Sequence, residues 1–116
     1  MKEPKELAVD IAEFLYGKKG ENIQVLDVAA LTSITEYFVI ASARNTLQCR
    51  SMAEDLEEHL LETEQLEARR KEGYRESRWV VLDYGSVIVH VFHEQEREFY
   101  NLERLWADGT NLIKRL

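Results

Sequence analysis

Several residues in this chain have the types that can do chemistry, and their spacing decides whether they do. His90-Val-Phe-His93-Glu94 has metal-binding donors three residues apart. The surrounding residues, Val87 to His93, are β-branched and apolar and read as a strand. On a strand side chains alternate, so His90 and His93 point to opposite faces, whereas a helical metal motif needs i and i+4 on one face. No metal is expected there. Cys49 lies on what reads as the apolar stripe of a helix, with no evident basic neighbour to make it a thiolate nucleophile. As the only cysteine it also excludes a disulfide framework and a four-thiolate zinc site. No nucleophile elbow, phosphate-binding loop or dinucleotide fingerprint occurs.

Gly85-Ser86 between strands of a small mixed sheet raises the possibility of nucleotidyl transfer. Such chemistry places two carboxylates at i and i+2 on a strand, where both can hold a magnesium ion that bridges nucleotide phosphates. After Gly85-Ser86 the chain offers Glu96-Arg-Glu98, but in a helical stretch, where i and i+2 diverge. Asp83 and Asp27 have no acidic partner two residues away. No catalytic residue, cofactor or metal is expected, and the chain reads as a non-enzyme.

The unusual side chains crowd into two stretches instead, Trp79 to Gly85 and Arg97 to Trp106. By alternation Trp79, Val81 and Asp83 share one strand face, with Val80, Leu82 and Tyr84 on the other. Trp, Tyr and Arg are the residues that most often anchor protein interfaces. The candidate partner-binding patch is therefore Trp79, Asp83 and Tyr84 together with Glu98, Tyr100, Asn101, Arg104 and Trp106.

The elements that must position these residues follow from periodicity. Leu7, Ala8, Ile11, Phe14 and Leu15 form one helical stripe over 5–18, with Pro4 in the first turn and Gly17 and Gly20 at the end. Residues 22–28 and 36–41 read as strands, the second apolar enough to be covered on both faces. Asn45 and Gln48 have the spacing of a capping box that opens a helix running to about Thr63. Cys49, Met52, Ala53, Leu56 and Leu60 form its buried stripe, and Arg50 and Glu54 pair across one turn. Residues 64–76 read as a charged loop with one exposed strand near 66–71. Arg78–Asp83 and Val87–His93 read as a hairpin in mid-sheet, and 94–106 as a helix closed by Gly109, with 109–116 a short tail. The order predicts an α/β fold, a single small domain over 1–116 with a mixed β-sheet flanked by helices.

Composition agrees with this reading. The 116 residues are 45 % apolar and 32 % charged, enough for one core and outside the range of disordered chains. No apolar run reaches the roughly 18 residues of a membrane span. The acidic N-terminal stretch MKEPKELAVD is unlike an export signal, so a cytoplasmic location is expected. Asp and Glu exceed Lys and Arg by 22 to 15, which argues against non-specific nucleic-acid binding and leaves room for a basic protein partner. The imbalance lies in the first 65 residues, with 13 acids and 6 bases, while the rest is neutral.

The stretches Trp79-Val-Val-Leu-Asp-Tyr-Gly85, Val89-His-Val-Phe-His93 and Arg97-Glu-Phe-Tyr-Asn-Leu-Glu-Arg-Leu-Trp106, with Thr35-Glu-Tyr-Phe-Val-Ile-Ala-Ser42 upstream, resemble the bacterial ribosomal silencing factor S family, related to the plant Iojap proteins. The resemblance runs from about Leu7 to Asp108. The family usually has Asp where this chain has Glu36, Gly at Ala43, a polar or basic residue at Leu47 and often Asp at Ser86. The resemblance implies a mixed sheet with a nucleotidyltransferase-like outline that lacks the metal carboxylates. It also implies a translational repressor that binds the large ribosomal subunit at its inter-subunit face through the ribosomal protein uL fourteen and blocks joining of the small subunit. Homodimerisation of the free protein is a further expectation, because exposed aromatic groups on a small domain invite cover. Two other functions stay open on the residues alone, a subunit-maturation adaptor and a divergent nucleotidyltransferase.

Overall fold

Helix α1 (Pro4–Gly17) begins where Pro4 needs no N–H partner, and it buries Leu7, Ala8, Ile11, Ala12 and Leu15. The computed structural model describes residues 2–100 and 110–111, with side chains to Glu98. After α1 come β1 (Glu21–Asp27), β2 (Tyr37–Ala43), α2 (Thr46–Glu64), β3 (Arg70–Glu72), β4 (Trp79–Asp83), β5 (Val87–His93), α3 (Glu94–Tyr100) and β6 (Thr110–Asn111). The sheet order is β3-β4-β5-β2-β1-β6. The β2–β5 pair is parallel and the other pairs are antiparallel, so the sheet is mixed.

Topology assigns a helix to each face. Strands β3, β5, β2 and β6 all run in the same direction, so β2–α2–β3 and β5–α3–β6 are both parallel crossovers. The first travels to one edge of the sheet and the second to the other. Crossovers of this kind are right-handed almost without exception, and two that travel in opposite directions must use opposite faces. Side chains agree. Val25, Val39, Val89, Val80 and Leu82 pack with the stripes of α1 and α2 in one core. On the other face Leu26, Val28, Phe38, Ile40, Ile88 and Phe92 form a second core, with Trp79 and Val81 against it. Arg97 of α3 donates to Ser42 Oγ, on this second side, at 2.8 Å.

The capping box forms with one change. Asn45 Oδ1 accepts the Gln48 N–H at 2.8 Å, as the spacing predicts, but Gln48 Oε1 accepts from the Arg44 N–H at 2.8 Å, one residue earlier than the box requires. Replacing Asn45 by alanine is expected to cost about 1 kcal/mol, and serine or aspartate to restore most of it, read as the midpoint of urea unfolding. Arg50 and Glu54 do meet on the outer face of α2, at 3.6 Å. The predicted strand near 66–71 moves to 70–72. Gln65 takes a left-handed φ of +52° and the Leu66 N–H bonds the Leu60 carbonyl at 3.2 Å, so Leu66 closes α2. Ala43 ends β2 outside the left-handed region, so a glycine's freedom is not used there. It is used at Gly85, where φ is +85° in the turn between β4 and β5. Residues 110–111, within the segment expected as a tail, pair with Leu26 and Asp27 of β1. Leu102, Trp106 and Gly109, assigned above to the last helix and its end, lie outside the described residues.

Candidate partner-docking face

Strand β4 alternates as the sequence requires, and burial identifies its faces. Val80, Leu82 and Tyr84 point into the core beneath α1 and α2, and Trp79, Val81 and Asp83 point to the second face. Tyr84 therefore does not stand beside Trp79 and Asp83. It is 8 % exposed, its hydroxyl has no hydrogen-bond partner among the described residues, and burial followed by the Glu57 charge holds it above the usual phenol range. Lying on the helix-covered face, it is not continuous with the surface that carries Trp79 and Asp83.

Trp79 is half-buried and held from two sides. Its ring stacks on Phe92, its cross-strand neighbour, at 4.8 Å and 24°. Its indole N–H donates to His90 Nδ1 at 3.1 Å. That donation fixes the imidazole tautomer, since indole can only donate, and puts the His90 proton on Nε2. His90 Nε2 is buried with no partner among the described residues, and burial pushes its pKa down to about 4. The ring meets Phe38 edge-on at 5.0 Å. His93 lies on the opposite face from His90, as period two demands. Among the described residues no group of three or more His, Cys, Asp or Glu side chains converges on a point that could hold a metal ion.

Asp83 ends β4 about 13 Å from Trp79, four strand steps away. Its Oδ1 accepts from the Gly85 N–H at 2.8 Å and from Arg69 Nε at 3.2 Å, which leaves its side chain 15 % exposed. This carboxylate shapes the turn and ties the edge strand to β4. Glu98 sits at the opposite end, on exposed α3 surface. With Asn22, Gln24, Ser42, Glu94 and Arg97 it lines a polar cleft of about 590 Å³. Asn22, at φ +49°, stands where the β1–β2 register shifts, and the bulge opens that corner. The buried Arg97 forms the cleft floor through Ser42 Oγ and the Glu21 carbonyl, the latter at 3.4 Å. On the other flank of α3 a hollow of about 460 Å³ is lined by Gly73, Arg75, Glu76, Arg78, Trp79 and Glu96, and the Arg78–Glu96 pair closes at 2.7 Å. Trp79 and Glu98 thus flank the start of α3, and Asp83 lies at the far end of the sheet. The side chain of Tyr100, and Asn101, Arg104 and Trp106, lie outside the described residues.

Sequence reasoning placed Arg97 in the 97–106 stretch but gave it no role. Its signal was a bond to Ser42 on a strand 55 residues away, visible only once the topology is known. Cys49 is what the stripe predicted, a buried thiol against the Val91 carbonyl at 3.3 Å, pushed by burial up to about 11 and so inert near neutrality. No helix among the described residues is long and apolar enough to cross a membrane.

Comparison with known proteins places this geometry. A family model described as "Ribosomal silencing factor during starvation" matches residues 1–115. The ribosomal silencing factor RsfS of Halalkalibacterium halodurans is 36 % identical over 107 residues, covering 92 % of this chain and 88 % of the relative. That of Bacillus subtilis is 37 % identical over 92 residues, covering 79 % and 77 %. A crystal structure of a Chromobacterium violaceum protein superposes with a TM-score of 0.87 at 29 % identity, covering 99 % of this chain and 94 % of that one.

Proposed function

This chain belongs to the ribosomal silencing factor family, and from that premise we propose that it represses translation by occupying the large ribosomal subunit. It docks at the inter-subunit face through the ribosomal protein uL fourteen, in the cytoplasm, and its 13.6 kDa body prevents the close approach that joining of the small subunit requires. The observation that carries this reading is the match of the whole chain, rather than of one motif, to silencing factors. The mechanism needs position and affinity and no bond-making step. The relatives are named as silencing factors and not as enzymes.

The docking face is the second side of the sheet around the start of α3. Trp79 offers apolar area on a rigid base of Phe92 and His90, and Glu98 offers an exposed carboxylate to a basic partner. The net charge of −7 favours encounter with a basic partner over an acidic one. When free, the protein covers the same face by forming a homodimer, so dimerisation and docking compete.

The test is gradient sedimentation of purified large and small subunits at fixed magnesium, with and without the protein. Co-migration with the large subunit and loss of the joined particle is the expected result. Co-migration with joining intact would make it a maturation adaptor, and absence from both subunits would end the ribosomal reading. Glu98→Lys, an exposed substitution that leaves the core alone, is expected to weaken binding about tenfold or more, as reversal of an interface charge does. Wild-type affinity in that variant would remove Glu98 from the face.

A further inference from the structure

The net charge of −7 conceals a segregation. Helices α1 and α2 carry nine carboxylates against two cations, whereas residues 69–78 carry five cations against two carboxylates. Those ten residues are the edge strand β3 and its link into β4. Three of the cations are paired: Arg69 with Asp83 at 3.2 Å, Lys71 with Glu57 at 2.7 Å and Arg78 with Glu96 at 2.7 Å. Arg70 and Arg75 are exposed and make no ion pair among the described residues. Register orients the first of them. Arg70 stands opposite Asp83 and so projects to the second face, while Lys71, opposite Leu82, turns toward α2. Arg75 lines the hollow beside Trp79. Two guanidinium groups without an ion pair among the described residues therefore stand at opposite ends of one sheet edge, Arg75 beside the docking face and Arg70 at the far end, on the same side of the sheet.

We propose that Arg70 and Arg75 contact an RNA phosphate backbone at the margin of the protein-docking face. The inference rests on the ribosomal reading above and supplies its second partner, ribosomal RNA recognised by charge and not by base sequence. A charged edge strand also keeps sheets from pairing, but any charge does that, and in an acidic chain more carboxylates would serve. Four of the five cations are arginine, whose planar fork matches phosphate oxygens. The acidic helices are repelled by the same backbone, so the edge orients the protein on a mixed protein–RNA surface with its helices turned away.

The test measures the affinity of the full chain for purified large subunits across 50–300 mM potassium chloride, for wild type and for Arg70→Gln/Arg75→Gln. Loss of two phosphate contacts lowers the slope of log affinity against log salt by about 1.5 to 2, which is roughly tenfold across a fourfold change in salt. A second measurement separates RNA from an acidic protein surface. Arg75→Cys, carrying a short photo-crosslinker on its exposed thiol while Cys49 stays buried, is expected to give an adduct with ribosomal RNA. Unchanged salt slope in the double variant, or adducts with ribosomal protein alone, overturns the RNA contact and leaves the docking reading standing. Failure of wild type to bind the subunit overturns both.

Discussion

Lowering the pH from 6.5 to 4 is expected to remove about 3 kcal/mol of stability through one side chain, His90. In the fold its pKa lies at about 4, depressed from 6.5 by burial in the second core. Between these values the unfolded chain holds a proton that the folded chain refuses, so stability rises with pH across the window and falls on acidification. A shift of that size, at 1.36 kcal/mol per pH unit, gives the magnitude. Geometry accounts for the refusal. Nδ1 already accepts the Trp79 N–H, so a second proton would face another donor, and the charge would sit against Phe38 and Phe92. The measurement is urea unfolding of wild type and His90→Gln at pH 7, 6, 5 and 4. Glutamine can still accept from Trp79 and does not titrate. Carboxylates contribute equally to both curves, so the difference isolates His90. The wild type should lose about 3 kcal/mol more than the variant, and parallel curves would show that another group carries the acid dependence.

The division of β4 and β5 into two faces was legible because their period is two and does not depend on context. So were α1, the Asn45 cap and the central position of the Val-rich hairpin. Which face was which could not be read, because both sides of β4 are apolar. Trp79 and Tyr84 are equally plausible as core or surface until helices are placed; alternation separates them onto opposite faces, and only the packing shows that α1 and α2 cover the Tyr84 side. Asp83 on the same strand face as Trp79 reads as a side that is not plain core, but its carboxylate is committed to the turn at Gly85 and to Arg69. The role of Arg97 and the pairing of the cationic edge needed topology, since their partners, Ser42, Glu57 and Glu96, come from other elements distant in sequence. Leu66 reads as strand because its role in closing α2 depends on a left-handed glutamine, a conformation that a glycine would announce.

Trp79→Ala is expected to cost about 3 kcal/mol or more, enough to endanger a domain of this size. The truncation removes the ring from Phe92 and opens a cavity at the hollow beside α3. It also leaves Nδ1 of a buried His90 without its donor. Loss of subunit binding in this variant would therefore say nothing about docking. Trp79→Phe separates the two roles. Phenylalanine keeps a ring over Phe92 and forfeits the hydrogen bond, so it should cost about 1 to 2 kcal/mol and remain folded at 25 °C. If Trp79 anchors the partner, Trp79→Phe binds the large subunit more weakly although circular dichroism shows it folded, whereas unchanged affinity makes Trp79 a support for the sheet only. The same variant reports on His90. Without an obligate donor at Nδ1, protonation costs less, the folded pKa rises toward 6.5, and the acid-dependent loss shrinks. Trp79→Phe and His90→Gln should thus be non-additive in urea midpoints at pH 5, because each removes one half of the same contact. Additive effects would mean that the 3.1 Å bond does not set the histidine's protonation.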